Sequence, residues 1–271
     1  MTNPEKKSKK QFKEHAETAI WNEKPSTSNP YIAQNCYLHG YDLAKLIKSR
    51  SFIDVLFLMF KSELPSTSQA HLLETLMIAC INPGPRHPAT RAAMNAGVSK
   101  TNFEHILPIG LMTLGGAYNG STEVEQAINF LAENKAKNPN QLAKKLLIQN
   151  RPKKSGDWHI APGFGSYYGG INIMASELAN YLLQLPEVGE SFKWADSFVS
   201  SIQETKPLGW LHTGIVAAIL ADLGFGAREG AGLYQIMSAP GILAHGLEQT
   251  HKPIFAMPLL EDKNYVIQTK K

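Results

Sequence analysis

Between Trp210 and Phe225 the chain reads WLHTGIVAAILADLGF, and the apolar run inside it, GIVAAILA, constrains the fold more than any other segment. It carries no charge and is far too short to span a bilayer, which takes about 20 residues of helix. A stretch that is apolar all round must be buried on every side, as a helix in a protein core. The run VLFLMF, from Val55 to Phe60, reads the same way.

Helical spacing dominates the rest of the chain. Leu43, Leu46 and Ile47 recur at that spacing, as do Ile53, Leu56, Phe57 and Phe60. Ser66-Thr67-Ser68 can cap a helix containing Leu72, Leu73, Leu76 and Met77. Ser121 and Thr122 precede an acidic first turn, Glu123 and Glu125, which complements a helix dipole. Ser176 is expected to open the helix ELANYLLQL, which Pro186 stops. Strict alternation is scarce, and only YIAQNCYL suggests a short strand. The chain is therefore expected to be all-α, with a loop or linker over Asn150–Gly170 where Gly, Pro and Lys cluster.

At 271 residues the chain is long enough for one large or two modest domains with a substantial core. With 43% hydrophobic and 18% charged residues it is folded and rather apolar, which excludes wholesale disorder. Much of the net charge of +4 sits in Lys6, Lys7, Lys9, Lys10 and Lys13. No aromatic interleaving accompanies them, so a solvated N-terminus is expected and no nucleic-acid partner. Cys36 and Cys80 have no short spacing, which gives neither a metal site nor a disulfide framework. Reduced thiols, no secretory signal and no membrane span point to a cytoplasmic protein.

Six segments, in order, carry a resemblance. They are YLHGYDLAKLIKSRSFIDVLFLMFKSELP, IACINPGPRHPATRAAMNAG, LMTLGGAYNGSTEVEQAINF, PGFGSYYGG, WLHTGIVAAILADLGF and PGILAHGLEQ. The chain resembles the citrate synthase superfamily, closest to its citryl-CoA lyase and ATP-citrate lyase C-terminal type. The family writes the fifth segment NVDGAIAALLLDLGF, and others carry its motifs "DHGP", "HGGA", "GxGHRV" and "GWIAHxxEQ". The resemblance implies a citrate synthase-like all-α fold. A large helical domain, 1–119 and 226–271, would hold a smaller inserted helical domain, 120–225. The active site would lie in the cleft between them and be completed in a homodimer.

Matched residue by residue, the substitutions fall on the chemistry. The family's proton-abstracting aspartate is matched by Thr213, the "DHGP" histidine by Pro83 and the "HGGA" histidine by Leu114. The "GxGH" histidine is matched by Ser166 and the arginine after it by Tyr167. A substrate arginine seven residues before His245 is matched by Ser238. A hydroxyl is no general base at neutral pH unaided. Lost arginines remove the rigid forks that grip carboxylates, which argues against citrate or oxaloacetate as ligand.

The altered centre is expected at Ser166, Tyr167, His212 and Thr213, where hydroxyls and imidazole can orient a neutral carbonyl and shuttle a proton. Substrate contacts are expected from Pro83, His87, Leu114, Tyr118, Asn119, His159, Tyr168 and Ser238. The loop Gly163-Phe164-Gly165 lacks the lysine of a P-loop and is expected to approach coenzyme A through its backbone. Lys153 and Lys154 are candidates to neutralise its phosphates, and Asp157 can pair with His159. No permanent cofactor or metal is expected, only a CoA thioester as co-substrate. Two readings stay open: a diverged enzyme making or breaking a carbon–carbon bond beside a thioester on a less charged substrate, and a catalytically silent binding or regulatory homologue.

Overall fold

A computed structural model describes residues 15–150 and 157–268. The N-terminal lysine cluster, Lys153 and Lys154 lie outside these residues. The chain divides into two compact units, Met1–Pro65 and Ser66–Lys271.

In the first unit, β1 (Trp21–Pro25), β2 (Ala33–Leu38) and β3 (Tyr41–Asp42) form an antiparallel sheet in that order. The strand expected within YIAQNCYL is β2. Asp42 caps α1 (Leu43–Ser49) by accepting from the Lys45 N–H. Ser51 and Asp54 exchange side-chain and backbone bonds at the start of α2 (Phe52–Lys61), a reciprocal capping box. Ser62, left-handed at φ 63°, ends that helix. Leu38, Leu46 and Leu58 form the unit's core with Val55 and Leu64 against them.

The second unit is a helical assembly. Ser66 and Gln69 form the capping box of α3 (Thr67–Cys80), so the predicted cap is in place. His87 caps α4 (Pro88–Val98), followed by α5 (Phe103–Leu114), α6 (Ser121–Asn134) and α7 (Pro139–Gln149). The expected Asn150–Gly170 loop instead holds a hairpin, β4 (Trp158–Ala161) and β5 (Phe164–Ser166). Pro162 and Gly163 make its turn, and the glycine supplies a φ of 81° that other residues rarely adopt. Next comes α8 (Ile173–Leu183), which begins before Ser176 because the Asn172 side chain accepts from the Ala175 N–H. Ser176 instead bonds back to the Asn172 carbonyl from inside the helix.

After α9 (Glu190–Gln203), β6 (Gly209–Trp210) completes the second antiparallel sheet, ordered β4-β5-β6. It leads into α10 (His212–Asp222), which contains the apolar run GIVAAILA, and α11 (Ala227–Gln249) follows. Every residue from Thr213 to Leu220 is buried, with α6, α9 and α11 packed around the helix. At its end the Asp222 carboxylate accepts N–H bonds from Gly189, Ser191 and Phe192, supplying the cap that Gly189 cannot give α9. An aromatic cluster of Phe130, Phe164, Phe192, Trp194, Phe198 and Trp210 locks the hairpin to these helices.

Helix α11 packs along α4, α5 and α6. Its contact with α4 is backbone-close, since a Cβ on Gly97 would stand 2.2 Å from the Gly246 carbonyl. Pro240 interrupts α11, and the next N–H, from Gly241, turns outward to the Ile81 carbonyl at 2.9 Å. That bond ties the kink to the end of α3 and brings Ser238 to the loop that precedes α4. With eleven α-helices and two small sheets among the described residues, the all-α expectation holds at the level of fold class.

Candidate active site

Five stretches far apart in sequence meet around one cavity of about 380 Å³. The α3–α4 loop contributes Asn82, Pro83, Arg86 and His87, and Asn119 comes from the turn before α6. Tyr167 and Tyr168 follow β5, His212 starts α10, and Tyr234 and Ser238 come from α11. Of the expected residues, Pro83, His87, Asn119, Tyr167, Tyr168, His212 and Ser238 therefore line a single space.

The others sit elsewhere. Ser166 and Thr213 are buried without lining the cavity, and Leu114 and Phe164 lie fully in the core. Gly163 and Gly165 are buried too, and Gly163 packs backbone-on-backbone against Gly214, where a Cβ would stand 2.5 Å from the Gly214 Cα. The Leu211 N–H donates to the Gly163 carbonyl at 3.0 Å. Through these contacts the hairpin turn sets Tyr167 beside the first turn of α10. Tyr118 and His159 line a neighbouring cavity of about 210 Å³.

Glu123 lies between the two spaces. Its carboxylate is 1% exposed, at the third residue of α6, where the helix N-terminus favours a negative charge. It accepts from the Asn119 N–H at 2.7 Å, the Gly163 N–H at 3.2 Å and the Tyr167 hydroxyl at 2.5 Å. Burial first, and the adjacent Glu123 charge next, push the Tyr167 phenol well above its ordinary value. The phenol is thus a held proton aimed at Glu123, and its oxygen lone pairs remain for the cavity. The Thr213 hydroxyl lies close to that phenol, yet it meets no partner in hydrogen-bond geometry.

The histidines differ in what they have left to offer. His87 accepts from the Ala89 N–H at Nδ1, so its Nε2 carries the proton and donates to the Asn119 carbonyl at 2.7 Å. Burial holds its pKa below the usual value against the raising effect of that carbonyl. It is a neutral ring with both nitrogens engaged, and it fixes Asn119. The His212 side chain makes no hydrogen bond among the described residues, and burial lowers its pKa as well. It presents a neutral imidazole to the cavity. His159 bonds Asp157 through Nδ1 at 2.7 Å, while its Nε2 lies 3.6 Å from the Glu123 carboxylate, too far for a hydrogen bond.

Four residues of the site were not expected from the sequence: Glu123, Arg86, Cys80 and Tyr234. Glu123 was legible only as a helix-start acid, because its partners Gly163 and Tyr167 are distant in the chain. Arg86, exposed and without an ion pair among the described residues, lines the cavity. Its signal was its place beside His87 in the substituted turn. Cys80 and Tyr234 form a buried wall, and burial pushes the Cys80 thiol up to about 12 and raises the Tyr234 phenol.

This helical assembly has the fold seen in solved structures of citryl-CoA lyase and citrate synthase. It is similar to the citryl-CoA lyase of Hydrogenobacter thermophilus, with a TM-score of 0.76 and 24% identity over 94% of this chain and 95% of that one. An ATP citrate lyase from Methanothrix soehngenii, in complex with citrate and coenzyme A, gives 0.70 and 15%, over 96% of this chain and 44% of that longer one. A Thermoplasma acidophilum citrate synthase, with carboxymethyl coenzyme A and oxaloacetate, gives 0.62 and 17%, over 82% and 58%. No protein-family model and no curated protein matches the chain.

Proposed function

We propose that the protein binds an acyl-CoA thioester and makes or breaks a carbon–carbon bond beside it, on a substrate less charged than citrate. One observation carries the reading. Pro83, Tyr167 and Ser238, three of the positions matched to the family's polar groups, converge on one cavity with His212, whose neutral imidazole has no hydrogen-bond partner among the described residues. A neutral imidazole can take a proton from the carbon next to a thioester carbonyl. The Tyr167 oxygen, fixed by Glu123, orients the reacting groups. The proposal includes a division into a large domain, 1–119 and 226–271, and a small one, 120–225, with a homodimer in the cytoplasm.

The burial of Ser166 and Thr213 outside the cavity favours a second reading, a silent homologue that only binds. Deuterium exchange into the acetyl group of acetyl-CoA in D₂O, followed by NMR, separates the two. The enzyme reading expects exchange that His212→Ala reduces at least about 10²-fold, the lower end for one acid–base group. Binding of acetyl-CoA with no exchange above background supports the silent homologue. No binding at all refutes both.

A further inference from the structure

We infer that the cavity accepts a small oxo acid with a single carboxylate, held by Arg86, its carbonyl turned toward His212 and Ser238. The inference rests on the thioester reading only for the carbonyl, which is the carbon a thioester-derived nucleophile would attack or leave. The carboxylate half stands on the cavity itself.

The lining residues include one charged side chain, Arg86. His87 and His212, the other basic groups, are held toward the neutral state by burial. The carboxylate nearest the site, Glu123, is turned to Asn119, Gly163 and Tyr167. The site is therefore complementary to one negative charge. The guanidinium is the side chain best shaped to take a carboxylate through two parallel N–H bonds. Asn82 stands in the same loop with its Oδ1 already accepting from the Gly84 N–H, which leaves its amide hydrogens as further donors.

Polarity changes across the cavity. Arg86, Asn82 and Tyr168 are exposed, whereas Cys80, Tyr234 and Ser238 are buried. The buried side resists negative charge, since the thiol and the phenol there are both pushed upward by desolvation. It still offers hydrogen bonds. Ser238, fully buried, lies close to the Tyr234 phenol, yet its Oγ meets no partner in hydrogen-bond geometry, and the His212 ring has none among the described residues. A carbonyl fits those two groups. A second carboxylate would be desolvated there with no cation among the described lining residues to meet it, which a buried charge does not tolerate. Dicarboxylic oxo acids are disfavoured on that ground, and uncharged ketones give up the Arg86 contact.

Calorimetric titration with pyruvate, 2-oxobutyrate and oxaloacetate tests this, on the full chain and on the Arg86→Met and Arg86→Lys variants. Arg86 is exposed and unpaired, so both variants are expected to fold with unchanged melting temperature. The expected result is that a monocarboxylic oxo acid binds at least ten-fold more tightly than oxaloacetate. Arg86→Met should weaken it ten-fold or more, and Arg86→Lys should restore part of the loss. Equal or tighter binding of oxaloacetate, no binding of either monocarboxylate, or full affinity in Arg86→Met overturns the inference. Acetyl-CoA is titrated into the same three proteins. If it binds while the monocarboxylates do not, the oxo-acid site is refuted and the thioester reading stands. If only the monocarboxylates bind, and do so through Arg86, the thioester reading falls and the oxo-acid site stands.

Discussion

At the scale of single residues, the cavity is organised by a carboxylate that sequence pattern alone could not single out. Glu123 follows the acidic-first-turn rule of any helix start, and nothing local marks it as the acceptor of two hydrogen bonds from the distant β4–β5 hairpin besides the one from Asn119. The positions of Tyr167, His212 and Ser238 were legible through the family pattern, but their working state was not. That state depends on burial and on partners that only the fold supplies. Thr213 shows the same limit, since its pattern position says nothing of a hydroxyl enclosed without a partner. Replacing Glu123 by Ala orphans the buried Gly163 N–H together with the half-buried Asn119 N–H and Tyr167 phenol. With about 1–3 kcal/mol for a buried group left unsatisfied and about 1 for each half-buried one, a loss of roughly 3–5 kcal/mol is expected in chemical denaturation. Tyr167→Phe removes one donor from the same carboxylate and should cost about 1–3 kcal/mol. A Glu123→Ala protein as stable as the parent would show that the carboxylate does not organise these segments.

At the scale of elements, the sequence marked helices by periodicity and caps, and those marks succeeded where the cap is local. Ser66 begins α3 as read. Ser176 failed as a helix start because Asn172, four residues earlier, makes the competing cap. The hairpin β4–β5 was hidden in a stretch read as loop, its strands too short for alternation to register. What holds that hairpin is contact with α10 rather than propensity. A Cβ on Gly214 would stand 2.1 Å from the Gly163 carbonyl, a backbone atom that cannot rotate away. Gly214→Ala is therefore expected to lose about 1–3 kcal/mol or more, in line with overpacking of a core, and to disturb Tyr167. Gly232 is the control, exposed within α11 with nothing within 4 Å of an added Cβ. Gly232→Ala should gain about 0.4–1 kcal/mol by restricting the unfolded chain. Melting temperatures moving in opposite directions for the two variants are the expected result. A neutral Gly214→Ala would mean that the hairpin and α10 are not in backbone contact.

At the scale of the whole molecule, the helical class was legible because an apolar run such as GIVAAILA has few ways to be buried. Of the small sheets only β2 was, because the other strands are too short for alternation to register and β6 pairs with β5 from far along the chain. The buried titratable groups of the larger unit bind protons differently when folded, and this fixes how stability responds to pH. His87 and His212 have folded pKa values below the ordinary 6.5, both through burial. Below pH 6.5 the unfolded chain takes up protons that the folded one refuses. Their contribution is complete above 6.5 and is lost as pH falls from there through the folded values. Cys80, Tyr167 and Tyr234 lie on the other side, with folded pKa values above the ordinary 9.0 and 10.0. Above pH 9 to 10 the unfolded chain releases protons that the folded one keeps, so stability falls as pH rises. Each group contributes a slope of at most about 1.4 kcal/mol per pH unit inside its window. Urea unfolding across pH 5 to 11 should accordingly give a maximum between about pH 6.5 and 9. His87→Asn, which retains a capping side chain, combined with His212→Gln should flatten the acid limb between pH 6.5 and 5, above the range where carboxylates dominate. Cys80→Ala should flatten the start of the alkaline limb near pH 9 to 10 while lowering overall stability by the loss of a buried side chain. An acid limb unchanged in the double histidine variant would mean that these imidazoles are not shielded from protonation, and the neutral base assigned to His212 would fall with it.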